Sequence, residues 1–234
     1  MGDSPAGKGE GKRLMKLDRN DRLVMIGDSI TDCGRGRPIG EGSSDGLGRG
    51  YVSLVEAFLT SAYPELNIRV TNTGISGNTV RDLQQRWQTD VLELKPQWVS
   101  VMIGTNDVWR QFDRPTMPEI HVLPEEYEET LERLVAQTAP SVKGIVLMTP
   151  FYLEPNKSDA MRARMDQYGG IVKRVAERNG TLFVDTQAAF DRVLEHVYPA
   201  VLAWDRVHPS AAGHMVLARA FLDAIGYEYK RNNG

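Results

Sequence analysis

The sequence predicts a three-layer α/β/α domain on a doubly wound parallel sheet of five strands, in the flavodoxin-like order 2-1-3-4-5. Three observations predict it. Five short apolar runs, each closed abruptly by turn residues, alternate with segments whose apolar residues recur every three or four positions. The first of these runs, Leu23 to Ile26, is unbroken, as suits a strand buried on both faces of a parallel sheet. No internal repeat or second compositional regime divides the chain, so residues 17–234 are expected to form one domain and residues 1–16 a flexible segment.

The elements follow in order. Leu23 to Ile26 is the first strand, ended by Gly27-Asp28-Ser29. Cys33 to Gly50 carries glycine at 34, 36, 40, 42, 46, 48 and 50 and reads as a long surface loop. Tyr51 to Ala62 has helical spacing and Pro64 closes it; Ile68 to Thr71 is the second strand, followed by a turn over Asn72 to Asn78. Val80, Leu83, Trp87, Val91 and Leu94 mark one face of a helix that Pro96 ends. Trp98 to Ile103 is the third strand, stopping at Gly104-Thr105-Asn106-Asp107, and Pro124 to Ala139 is helical. Gly144 to Met148 is the fourth strand. Met161, Met165, Tyr168, Val172 and Val175 mark a helix closed by Asn179-Gly180. Thr181 to Val184 is the fifth strand, and a last helix runs from about Ala211 to Ile225.

Composition narrows the function classes. With 41% apolar and 25% charged residues the chain is of the soluble globular kind. A net charge of -3 and a pI near 5.9 argue against a nucleic-acid partner. Cys33 stands alone, so no internal disulfide forms and nothing calls for an oxidising compartment. Residues 1–16 lack the apolar core of a signal peptide, and no apolar run approaches the roughly 18 residues of a membrane span. The sequons at Asn156 and Asn179 then read as chance matches, and a cytoplasmic location without a membrane partner is expected.

Chemistry concentrates at strand ends, where open α/β sheets place their sites. Ser29 stands just beyond the first strand, Gly77 beyond the second and Asn106 beyond the third. Strands 2, 1 and 3 are expected to be neighbours, which brings the three residues into one volume. A serine nucleophile needs donors for the charge that develops on an attacked carbonyl. The N–H groups of Ser29 and Gly77 and the side-chain amide of Asn106 are the candidates. It also needs a base held by an orienting group. Of the four histidines, His121, His196, His208 and His214, only His208 has an aspartate three residues earlier, Asp205. Pro209 stiffens the backbone beside it, and Ser210 is a candidate N-cap for the last helix.

Other readings fall short. Gly42-Ser-Ser-Asp-Gly46 matches G-x-S-x-G but lacks the strand before and helix after that the motif needs. Asp28 and Asp32 have no second carboxylate cluster to complete a metal shell, and Asp28 reads as a brace for the turn. The glycine loop has no Gly-Lys-Ser/Thr for phosphate, and Cys33 has no evident activating partner.

Gly27-Asp-Ser-Ile30, Gly77, Asn106 in Gly-Thr-Asn-Asp, and Asp205-x-x-His208 together resemble the SGNH (GDSL-type) hydrolases, whose four blocks stand here in order. The likeness runs from about residue 18 onward. It is closest to intracellular bacterial acetylxylan esterases, through residues 74–83, 106–111 and 203–210. Ile30 in place of the eponymous leucine is a volume-conserving change. The resemblance implies Ser29 as nucleophile, His208 as base, Asp205 as its orienter, and Ser29, Gly77 and Asn106 as oxyanion donors. It implies removal of acetyl groups from xylan-derived oligosaccharides through an acetyl-enzyme, with no metal or cofactor.

Trp109 and Trp204 lie near the proposed site, where a flat ring packs against a sugar or acyl group; ordinary core packing is the alternative for each. Trp87 and Trp98 are expected in the core. The glycine- and charge-rich loop at 33–50 is unlike an apolar lipase lid, which favours a small acyl group. An esterase, lysophospholipase or thioesterase of the same fold is the competing enzyme reading. A carbohydrate-binding module with a degenerate site is the non-enzymatic one. Tyr227 and Tyr229, near the end of the last helix, are either interface anchors or packed on their own domain. The resemblance implies a homo-oligomer.

Overall fold

The strands β1 (Arg22–Gly27), β2 (Arg69–Asn72), β3 (Trp98–Met102), β4 (Gly144–Met148) and β5 (Leu182–Val184) form one parallel sheet in the order β2-β1-β3-β4-β5. The structure, a computed structural model, describes residues 14–42 and 44–229. Each apolar run feeds both faces of the sheet. Leu23 and Met25 point to one core, Val24 and Ile26 to the other. That double burial is why β1 and β4 are continuous rather than alternating in hydropathy.

Nine helices among the described residues complete the layers: α1 (Ser29–Asp32), α2 (Tyr51–Ala62), α3 (Val80–Asp90), α4 (Thr105–Asp113), α5 (Pro124–Thr138), α6 (Ala160–Asn179), α7 (Thr186–Leu194), α8 (Pro199–Leu202) and α9 (Ala211–Ala224). Tyr51, Val55 and Leu59 of α2, Phe190 of α7 and Leu217 and Phe221 of α9 cover one face. Leu83 and Trp87 of α3, Leu131 and Leu134 of α5, and Met165 and Val172 of α6 cover the other. Trp87 and Trp98 are buried, as expected.

Several elements differ from the sequence reading. The helix after Thr79 stops at Asp90, and the chain tightens through residues 92–94 to Lys95 at φ 49. Val91 stays fully buried, so the apolar spacing outlasts the helix. Helices α4, α7 and α8 stand where the sequence reading marks no helix, because α4 and α7 bury polar residues such as Thr105, Asn106, Asp107, Thr186 and Gln187 and α8 is only four residues long. The described residues of the 33–50 stretch are pinned rather than loose. Arg35 is buried and donates to the carbonyls of Gly74, Gly36 and Pro38 at 2.7–2.9 Å, and Asn72 Nδ2 donates to Thr31 O and Leu47 O at 2.7 and 2.9 Å.

Of the N-terminal segment expected to be flexible, residues 1–13 lie outside the described residues. Lys16 N–H donates to Ile225 O at 2.9 Å and Met15 packs against the core, so those two residues belong to the fold. Tyr227 is buried against Phe58 and Tyr63, while Tyr229 is partly exposed and lies beneath Arg219.

Candidate active site

Ser29 opens α1 immediately after β1. Gly27 is required there because a Cβ would come within 2.3 Å of both Met102 O and Thr31 Oγ1. Asp28 caps the turn by accepting the Ile30 N–H at 3.0 Å. It is the brace the sequence suggests. Burial pushes its carboxyl up to about 6, despite the Ile30 N–H and the nearby His208, so it carries little charge in acid.

From the far end of the chain, His208 Nε2 comes to 3.1 Å of Ser29 Oγ, and its Nδ1 lies 2.6 Å from Asp205 Oδ2. The other Asp205 oxygen accepts the N–H groups of Val207 and His208 at 3.0 and 2.8 Å, which closes the turn. Partial burial of Asp205 works against its charged form, but the ring and backbone donors outweigh it and hold the carboxyl below its ordinary value. As a carboxylate it can only accept, so Nδ1 carries the proton and Nε2 faces Ser29 with its lone pair. Arg206, between them, is held at φ 65, with its carbonyl accepting Leu153 N–H at 3.0 Å and its side chain paired with Glu154. The His208 side chain is 44% exposed, so the dyad opens directly on solvent.

Gly77 lies on a loop tied to β1, the strand that ends beside Ser29. Thr73 N–H and Ile75 N–H donate to Met25 O and Gly27 O at 3.0 and 3.1 Å. Gly77 adopts φ 83, the left-handed region that favours glycine, and a Cβ there would meet nothing within 4 Å. Asn106 Nδ2 donates to Asn78 O at 3.0 Å, which fastens α4 to the residue after Gly77. The N–H groups of Ser29 and Gly77, and the second Nδ2 hydrogen of Asn106, have no acceptor among the described residues. Three donors therefore stand at the ends of β1, β2 and β3.

Three buried or half-buried arginines hold segments around the site, and the sequence reading named none. Arg86 on α3 donates to Asn78 Oδ1 at 2.7 Å, Thr73 O at 2.5 Å and Gly27 O at 3.1 Å. Arg110 on α4 donates to Asn106 Oδ1 at 3.1 Å. Arg162 on α6 reaches Glu154 O at 2.6 Å and Asp191 at 2.7 Å, bracing the irregular segment whose Leu153 N–H meets Arg206 O. An arginine on the polar side of a helix looks alike in sequence whether it is solvated or buried, so no pattern marks them.

The two tryptophans part company. The Trp109 ring lies 5.9 Å from the His208 ring and is half-buried beside the dyad. Trp204 is 82% exposed, which excludes core packing and leaves its ring open to solvent next to Asp205. Cys33 has a histidine beside it that the sequence reading did not pair with it: His214 Nε2 is 3.5 Å from Sγ. His214 Nδ1 accepts Tyr51 N–H at 3.2 Å, so Nε2 bears the hydrogen and cannot take the thiol proton. Burial lowers the His214 pKa to about 4 and raises that of Cys33, which keeps the thiol unreactive.

Comparison with known proteins follows the same residues. The model of the GDSL-like Lipase/Acylhydrolase family matches residues 25–216. The chain is 63% identical over 218 residues to an acetylxylan esterase of Geobacillus stearothermophilus, covering 93% of this chain and all of that protein. The crystal structure of that esterase, Axe2, matches with a TM-score of 0.92 at 63% identity, over 94% of this chain and all of its own. Structures of its catalytic mutants replace a serine, an aspartate or a histidine with alanine, at positions spaced as Ser29, Asp205 and His208 are here. LAE5, an alpha/beta hydrolase from the metagenome of Lake Arreo in Spain, matches with a TM-score of 0.89 at 59% identity, over 91% of this chain and 98% of its own. Extending over most of the length and including Ser29, Gly77, Asn106, Asp205 and His208, this likeness shows that the chain belongs to the GDSL-like lipase/acylhydrolase family, the SGNH hydrolases.

Proposed function

We propose that this protein is a serine esterase that removes acetyl groups from acetylated xylo-oligosaccharides. The observation that carries the reading is the relay Ser29 Oγ–His208 Nε2 at 3.1 Å and His208 Nδ1–Asp205 Oδ2 at 2.6 Å, in a chain 63% identical to an acetylxylan esterase. His208 takes the Ser29 proton as Oγ attacks the acetyl carbonyl. The oxygen that becomes negative receives the N–H groups of Ser29 and Gly77 and the Nδ2 hydrogen of Asn106. Collapse returns the proton from His208 to the departing sugar hydroxyl and leaves an acetyl group on Ser29. Water, deprotonated by the same ring, then releases acetate. Asp205 steadies the imidazolium formed in each half.

A small acyl group fits the surroundings. The described residues of the loop at 33–50 are bound down to β2 and Gly74 by Arg35 and Asn72, and among them no apolar lid covers Ser29. Trp109 offers a wall beside His208, and Trp204 an exposed ring on which a sugar can stack. The location proposed is the cytoplasm, where short imported oligomers rather than polymeric xylan are the substrate. No helix among the described residues is long and apolar enough to cross a membrane. A homo-oligomer is also proposed, supported by the exposed apolar side chains Tyr198, Val201 and Trp204 clustered on and beside α8; a monomeric mass by light scattering would refute it.

The test is acetate release from defined acetylated xylo-oligosaccharides. Wild type is expected to release acetate and Ser29→Ala to lose at least about 10³-fold in kcat. Preference for medium-chain acyl esters over the acetylated sugars would transfer the protein to the general esterase, lysophospholipase or thioesterase class. An organophosphate that failed to label Ser29 would refute the nucleophile.

A further inference from the structure

Arg110 lies one helical turn after Asn106 on α4 and touches two groups of the site at once. Its Nη2 donates to Asn106 Oδ1 at 3.1 Å, and its guanidinium carbon lies 5.3 Å from the centre of the Trp109 ring. The other nitrogen, Nη1, is paired with Asp113. The Trp109 ring in turn neighbours His208.

We propose that Arg110 is a positioning residue for ester hydrolysis, fixing the Asn106 amide so that Nδ2, rather than Oδ1, faces the developing oxyanion, and strengthening that N–H as a donor. The inference rests on the reading of Asn106 as an oxyanion donor.

A primary amide is nearly symmetric in shape, so packing alone does not tell its two ends apart. Hydrogen-bond chemistry does. A guanidinium has donors and no acceptor, so the Asn106 atom facing Arg110 must be oxygen. The Asn78 carbonyl, 3.0 Å from the opposite end, accepts only and demands an N–H. The two neighbours exclude the inverted amide from both sides. Inverted, Asn106 would aim a lone pair at the place where negative charge forms, and each transition state would be repelled instead of stabilised.

Charge adds to orientation. A cation on the amide oxygen draws electron density from the nitrogen and makes its hydrogens better donors, an effect that grows where water is scarce. Asn106 is only 3% exposed, so little solvent screens it. Asp113 and the face of Trp109 keep the guanidinium plane in place, so little freedom is lost when the oxyanion arrives.

The alternative is a helix-surface charge that merely pairs with Asp113. The experiment measures kcat and KM on 4-nitrophenyl acetate, whose hydrolysis needs no sugar subsite, for Arg110→Met, Arg110→Lys, Asn106→Ala and the double variant Arg110→Met/Asn106→Ala. Arg110→Met keeps the apolar stem on Trp109 and is expected to lower kcat about tenfold, a part of the 10²–10³ that a whole lost donor costs, with KM unchanged. Arg110→Lys, which retains charge and a donor, is expected to recover part of that loss. In the Asn106→Ala background Arg110→Met should cost nothing further, since the group it acts through is gone. An unchanged kcat in Arg110→Met, multiplying losses in the double variant, or a lysine variant no better than methionine would each overturn the proposal. If Asn106→Ala itself kept full activity, the oxyanion reading would fail first, and the two failures are told apart by that single variant.

Discussion

Asp32 Oδ2 accepts both the backbone N–H and the hydroxyl of Ser76, each at 3.0 Å, together with Arg37 Nη2 at 2.6 Å. Asp32 closes the short helix that Ser29 opens, and Ser76 precedes Gly77. One carboxylate thus joins the nucleophile's helix to the loop that presents a proposed oxyanion donor. These donors outweigh the burial of Asp32 and hold its carboxyl below its ordinary value.

Asp32→Ala should therefore harm catalysis and stability together. Losing the charge-assisted bonds to Ser76 is expected to cost about 2–3 kcal/mol in urea unfolding. It is also expected to lower kcat about tenfold as the Gly77 N–H loses its aim. Both quantities are read on one preparation; a variant as stable and as active as wild type would show that the link carries neither.

Asp205→Asn should separate orientation from folding. Its side-chain oxygen can still accept the N–H groups of Val207 and His208, so the turn survives. The amide NH₂ then faces Nδ1, pushes the ring hydrogen to Nε2 and leaves Ser29 without a base. A fall in kcat on the order of 10³-fold or more, with Tm nearly unchanged, is expected. A loss smaller than tenfold would place the orienting role elsewhere.

Asp107, beside Asn106, bears on stability through pH. Its carboxyl is fully buried, accepts Val80 N–H at 3.0 Å through Oδ1, and has no partner for Oδ2 among the described residues. Burial, reinforced by the charges of Asp28 and Asp82, pushes its pKa up to about 7 from an ordinary 3.8. Between those values the native state holds a proton that the unfolded chain has released. The contribution is thus complete below about 3.8 and is lost as pH rises through about 7. Asp107→Asn, which imitates the protonated form, should gain on wild type by an amount on the order of a few kcal/mol between pH 4 and pH 8. Urea midpoints across that range decide it, and parallel curves for the two proteins would contradict the shift.

Much of the fold was legible because strand burial on both faces leaves a continuous apolar run. Leu23 to Ile26, Trp98 to Met102 and Gly144 to Met148 are visible for that reason, and their alternation with helical segments implies the sheet order. The short helices were not legible. Thr105 to Val108 are buried at the start of α4 although three of the four are polar, and hydropathy has no means to report that.

The candidate site divides in the same way. By themselves, the residues in order determine which chemical groups stand at the carboxyl ends of the first three strands, and that an aspartate precedes the distant histidine by three positions. Those are local facts, readable because turn residues and a three- or four-residue spacing leave a signature. Only the tertiary structure decided which partner each side chain takes: that Arg86, Arg110 and Arg162 turn inward to hold the loops, that Trp109 lies beside the imidazole while Trp204 faces water, and that His214 lies against Cys33 without activating it. The physical reason is range. A strand or turn is chosen by neighbours along the chain, whereas the fate of a long polar side chain is set by acceptors brought to it from elements tens of residues away.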